Sequence, residues 1–208
     1  MKRIYLIITA AAMFFAAEAN AQIGIGAGYS MLINSGKSMD EKDFNSLDGF
    51  YIEASYGINF LEKKWGDLGI QPGIRFTYGG YEDSEKYLGI TAKSSMVETY
   101  LDIPILVKYS YDLNNVMLSA FAGPVVSFGL SSVSKLSINN TSSEVHNYKD
   151  LPYGKCDVRF NLGLGATFID KYMLKVGYDF GLLNRYTGNM DNVSLHTGVL
   201  YVGLGYNF

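Results

Sequence analysis

Cysteine is almost absent from this chain: among its 208 residues only Cys156 carries a thiol. A lone thiol excludes an internal disulfide, and with histidine only at His146 and His196 no Cys/His metal cluster is implied. Charge is sparse too. Charged residues make up 18% of the chain, below the usual quarter of a soluble domain. A net charge of -3 without clustered Lys and Arg excludes nucleic acid as a partner. Beyond the first residues no long uninterrupted apolar run occurs, so no transmembrane helix is expected. Phosphate-binding glycine loops are missing as well. Gly24, Gly26 and Gly28, like Gly163 and Gly165, lie inside alternating stretches with no helix after them. No cofactor is expected.

What the chain has in plenty is glycine, with 23 residues, tyrosine, with 17, and hydrophobic residues at 48%. Its length suits one domain. Lys2 and Arg3, the apolar run Ile4 to Ala17, and Ala19-Asn20-Ala21 have the layout of a cleaved export signal. The expected organisation is therefore a signal peptide over 1–21 and a single domain over 22–208. No cysteine follows the cleavage site, which argues against a lipid-modified N-terminus.

From Asp157 to Leu182 every second residue is apolar. Val158, Phe160, Leu162, Leu164, Ala166 and Phe168 share one face, with Asp157, Arg159, Asn161, Gly163 and Gly165 on the other. The pattern resumes in phase from Tyr172 to Leu182, so the stretch is a β-hairpin with one greasy and one polar side. The same alternation recurs over 23–31, 50–60, 68–78, 101–109, 116–128 and 197–208. That makes eight strands and no helix.

Strands with one apolar face also build soluble sandwiches and lipocalin-like barrels. Three features favour a barrel that crosses a membrane. The connections alternate: 34–49, 82–93, 131–156 and 184–194 are long and polar, whereas 62–67, 112–115 and 170–171 are short. Aromatic residues gather at both ends of the greasy faces, as bilayer interfaces require. Phe60, Trp65, Tyr109, Tyr111, Phe168, Tyr172, Tyr206 and Phe208 fall toward the short turns, and Phe50, Tyr78, Tyr81, Tyr100, Phe128 and Phe180 toward the long loops. The polar faces carry Glu53, Asp102, Asp157 and Asp179 against Arg75, Lys108, Arg159 and Lys175. Such a set would be costly against lipid or a dry core, but it can pair inside a narrow barrel.

The expected fold is thus all-β, an eight-stranded antiparallel up-and-down transmembrane β-barrel. Eight strands leave a lumen that side chains fill. Both termini fall on the short-turn, periplasmic side of the outer membrane. Pro72, Pro104 and Pro124 lie within strands, where each lacks a ladder N–H, so bulges or lost bonds are expected beside them.

Tyr100 to Tyr109 (YLDIPILVKY), Asn161 to Phe168 (NLGLGATF), Val176 to Asn184 (VGYDFGLLN) and Leu200 to Phe208 (LYVGLGYNF) resemble the small outer-membrane β-barrel family of Bacteroidota. That family is labelled porin-like or PorT-like and has an OmpA-type barrel. The resemblance covers the whole domain. It implies outer-membrane lipid as surroundings, and it likens Phe208 to the insertion signal read by the barrel-assembly machinery.

The chemistry available is thin. Ser194 and His196 share one face, and an outer-membrane lipid-modifying enzyme would use such a pair, but no third orienting group is evident. The reading is non-enzymatic: a plugged barrel with a structural or partner-binding role, whose long loops meet an extracellular or envelope protein. The alternatives are a small porin or transport protein and the lipid-modifying enzyme.

Overall fold

Alternating apolar and polar residues fold into eight of the nine strands found among the described residues. In the computed structural model, residues 21–37, 46–87, 90–139, 141–189 and 193–208 are described. The expected signal peptide, all but Ala21, lies outside the described residues. The strands are β1 Ala21–Ser35, β2 Ser46–Lys63, β3 Gly66–Tyr87, β4 Ile90–Asp112, β5 Val116–Ile138, β6 Thr141–His146, β7 Cys156–Phe168, β8 Tyr172–Gly181 and β9 His196–Asn207. One turn of helix, α1 (Asn147–Asp150), follows β6.

Neighbours pair antiparallel in the order β4-β3-β2-β1-β9-β8-β7-β5, and β4 also pairs with β5, so the sheet closes on itself. Eight strands form this wall. β6 is outside it: the lower part of β5 pairs with β7 from Val116 to Phe128, and its upper part pairs with β6 from Val133 to Ile138. The ninth strand was not legible as such, because its residues TSSEVH carry no apolar alternation.

Short turns join the strands at one end. Between β7 and β8, Ile169 and Asp170 both take positive φ, at 52° and 58°, and Lys171 N donates to Phe168 O at 3.1 Å. That is the primed turn whose twist matches a hairpin. At the other end the expected 82–93 loop is largely strand. β3 and β4 stay paired up to Tyr87 and Ile90, because Tyr81 and Met96 continue the inward face and pack on Leu32, Leu47, Tyr100 and Val199.

The faces alternate through every strand of the wall. Ile52, Ile74, Ile105, Leu162, Leu164, Val176, Val202 and Leu204 are exposed on the outside, while the charged side chains are buried within. Phe60, Trp65, Tyr109, Tyr111, Phe168 and Tyr172 ring the short-turn end, and Phe50, Phe128 and Phe180 the other. Tyr78 joins the second ring by stacking on Phe50 at 5.4 Å. Tyr100 and Tyr81 do not belong to it. Tyr100 is 1% exposed and points inward, as its parity with Asp102 requires, and Tyr81 packs against the same inner cluster.

The prolines interrupt pairing without shifting it. Pro72 falls in a gap of the β2–β3 ladder, Pro104 in one of β3–β4 and Pro124 in one of β4–β5, while the register on either side is kept. A missing N–H removes the bond without adding a residue to the ladder. The true irregularities are elsewhere, between Asn59 and Leu61 and between Thr99 and Tyr100.

Inward glycines make room for large inward rings. A Cβ on Gly177 would collide with the Tyr201 hydroxyl and ring. We expect Gly177→Ala to cost about 1–3 kcal/mol by overpacking, read from urea unfolding in detergent micelles, with Gly57→Ala, where no side chain is near, close to neutral.

Candidate functional site: the charged lumen and its clasp

Register sets the middle of the lumen. It places Glu53 of β2 opposite Arg75 of β3, and Arg75 opposite Asp102 of β4. Arg75 Nε donates to Asp102 Oδ2 at 3.3 Å, and its Nη2 donates to Asp179 of β8 across the lumen. On β7, Arg159 Nε donates to Asp157 at 3.1 Å and Nη1 to Asp102 at 3.5 Å. Asp102 also accepts from Thr77 at 2.7 Å and Ser127 at 2.5 Å. Asn161 bridges Asp179 and the Tyr201 hydroxyl at 2.6 and 2.8 Å. Below this set, Lys175 Nζ donates to Glu53 at 2.8 Å and lies 5.2 Å from the Phe121 ring centre.

Seven of the eight charged residues named from the sequence are therefore joined by ion pairs. Lys108 is not. It is buried on β4, and among the described residues no carboxylate lies within ion-pair distance of it. Buried charge without a partner is costly, whereas breaking a pair strands the other member. Lys108→Met should accordingly leave stability unchanged or raise it by about 1 kcal/mol, while Lys175→Met, which strands Glu53, should cost about 3 kcal/mol. Urea titration of both variants in micelles checks the contrast.

Two further lumen charges were missed. Glu98, 0% exposed, stands two and four residues before Tyr100 and Asp102 on the same face of β4, so extending the alternation upward would have found it. Arg185, 1% exposed, follows β8 in a polar connection with no period to betray it. Contacts between loops place it. Its Nη2 donates to Glu98 at 3.5 Å and to the Tyr148 hydroxyl at 3.1 Å, Nη1 to Thr197 at 2.5 Å, and Nε to the Gly154 carbonyl at 3.4 Å. Its guanidinium lies 5.2 Å from the Tyr100 ring centre.

Backbone bonds tie the same loops together. Gly154 N donates to Arg185 O at 2.7 Å and Thr187 N to Pro152 O at 2.9 Å, around an antiparallel Tyr153–Tyr186 bridge. The 151–155 and 182–189 segments thus form a clasp over the long-loop mouth, with Arg185 driven down into it. Burial raises the Tyr148 and Tyr153 phenols above their ordinary range, so both stay neutral beside the guanidinium.

The Ser194/His196 pair is not assembled. Ser194 Oγ accepts from the Lys37 backbone N–H at 3.1 Å, and no hydrogen bond joins it to His196 among the described residues. Nor is any group of three His, Cys, Asp or Glu among them placed to hold a metal ion. Phe208, 72% exposed, packs edge-to-face on Tyr206 at 5.0 Å.

A closed sheet with aliphatics outside, aromatic rings at both rims and arginines within is inside-out relative to a water-soluble domain. Only hydrocarbon suits that exterior, and a closed barrel satisfies every strand edge within it. No helix among the described residues is long and apolar enough to cross a membrane; the strands do so instead. The fold defines an integral outer-membrane β-barrel protein. The chain belongs to the family described as outer membrane protein beta-barrel domain, whose model matches residues 15–187.

Solved barrels are similar in outline. Ail of Yersinia pestis, in complex with the heparin analogue sucrose octasulfate, is 15% identical with a TM-score of 0.46, covering 91% of this chain and 100% of its own. OprG of Pseudomonas aeruginosa is 10% identical with a TM-score of 0.40, covering 92% and 98%. The outer membrane enzyme PagL is 11% identical with a TM-score of 0.39, covering 90% and 98%. No function transfers from likenesses at this level. A comparison with curated proteins finds no match.

Proposed function

We propose that this chain is a plugged, non-enzymatic barrel, held in the outer membrane as an anchor, that meets an extracellular or envelope partner through its long-loop end. The observation that carries the reading is the lumen itself. From Lys175–Glu53 through Arg75, Asp102 and Arg159 to Arg185–Glu98, ion pairs span it, and the clasp lies across its mouth. Opening a water path would break this buried, mutually paired set of charges, which disfavours a porin. A Ser194 hydroxyl held by the Lys37 backbone disfavours a lipid-modifying enzyme. In this reading residues 1–21 are the export signal, both termini face the periplasm, acyl chains surround the wall, and Phe208 addresses the barrel-assembly machinery. The finer kinship with PorT-like barrels of Bacteroidota rests on the four strand stretches quoted above.

Planar-bilayer recording of the refolded protein tests the central point. No steady single-channel openings are expected; steady openings would defeat the plugged barrel.

A further inference from the structure

The wall strands differ greatly in length. β3, β4 and β5 have 22, 23 and 23 residues, whereas β7, β8 and β9 have 13, 10 and 12. A spanning strand needs about 9–11 residues. The surplus projects past the long-loop rim as a four-stranded sheet, built from the upper parts of β3, β4 and β5 together with β6. At about 3.3 Å per residue it stands about 30 Å along the strands beyond the aromatic ring at Tyr78 and Phe128.

Register and burial assign its two faces. The side continuous with the outer wall carries charges of both signs: Glu82, Lys86, Lys93, Lys135 and Glu144. There Lys135 Nζ lies 2.9 Å from Glu144, and that hydrogen bond holds the Glu144 carboxyl below its ordinary range. The side continuous with the lumen is different. Above Tyr81 and Met96, which pack onto the inner cluster, it presents Leu136 and Ile138 of β5, 50% and 49% exposed, in line with Asp83 and Glu85 of β3 across Ser94 and Ala92 of β4. That side carries no Lys or Arg among the described residues.

A sheet that leaves large aliphatic side chains exposed on one face is stabilised when something covers them. We propose that the inward side of this projecting sheet docks a cationic amphipathic protein segment, its aliphatic residues on Leu136 and Ile138 and its Lys or Arg on Asp83 and Glu85. Charge decides the occupant. Anionic lipid headgroups are repelled by the two carboxylates, and a second copy of a chain with net charge -3 brings no cationic excess. This inference rests on the partner-binding reading above and names the partner's chemistry.

The test uses the full barrel in nanodiscs of zwitterionic phospholipid and a fluorescent ten-residue peptide of alternating Lys and Leu, read by anisotropy with empty nanodiscs subtracted. Saturable binding is expected, weakened at least tenfold both in Asp83→Asn/Glu85→Asn and in Leu136→Ser/Ile138→Ser. Lys93→Gln/Lys135→Gln, on the opposite face, should change it less than twofold. Heat-modifiable gel migration verifies that each variant is folded. Absent binding, equal binding of a Glu/Leu peptide, or equal loss in the opposite-face variant overturns the proposal. So does wild-type self-association in sedimentation that Leu136→Ser/Ile138→Ser abolishes, since a second copy would then be the cover. Any of these results alongside a non-conducting barrel refutes the docking face alone, whereas steady conductance refutes the plugged barrel.

Discussion

Asp102→Ala should destabilise the barrel by about 3–5 kcal/mol, the largest effect of any single substitution in the lumen. Asp102 is 0% exposed and, among the described residues, is the one carboxylate shared by two guanidiniums, Arg75 and Arg159. Removing it leaves both cations with one partner fewer, and leaves the hydroxyls of Thr77 and Ser127 without their acceptor. Asp102→Asn keeps an acceptor and nearly the same volume but loses the charge, so it should fall between wild type and Ala. Urea unfolding in micelles, followed by tryptophan fluorescence of Trp65 and by heat-modifiable migration, measures the series. An Ala variant within 1 kcal/mol of wild type, on the scale of a single net hydrogen bond, would mean that the network is not a cooperative unit.

Val176→Arg should cost about 2–4 kcal/mol although it touches none of the lumen groups. Val176 lies midway along β8, between Tyr172 at one rim and Phe180 at the other, with its side chain outward and 44% exposed. In water that exposure would make the substitution harmless. In hydrocarbon a guanidinium at mid-height must thin the bilayer around it or leave the sheet. Val176→Leu should be neutral. Unfolding in lipid vesicles is the deciding measurement, and an Arg variant as stable as the Leu one would remove hydrocarbon from the outer surface.

Much of this arrangement was readable from alternation alone, because period-2 patterning fixes which side chains share a face. The eight wall strands, the inward parity of Glu53, Arg75, Asp102 and Arg159, and the outward parity of Leu162 and Val176 follow from it directly. Alternation says nothing of partners across a lumen. That Arg75 of β3 reaches Asp179 of β8, 104 residues away, depends on closure and barrel diameter. It also fails where polar residues hide a strand: Glu82 to Lys86 and TSSEVH read as loop, yet their backbones continue the ladder. Tyr100 shares the parity of Asp102 and is buried in the lumen, so it leaves the aromatic ring in which its type and position had placed it. Arg185 had no local cue, since its burial is produced by two loops meeting.

The pairing of β1 with β9, from Gly24 with Asn207 to Ser35 with His196, joins stretches nearly the whole chain apart. Every other neighbour in the wall is met soon after it is made. The seam is therefore the wall contact with the greatest loop-closure cost. Without it the wall would have two open edges and its charged interior would meet the surroundings, so this one pairing is what completes both the cylinder and its sealed lumen.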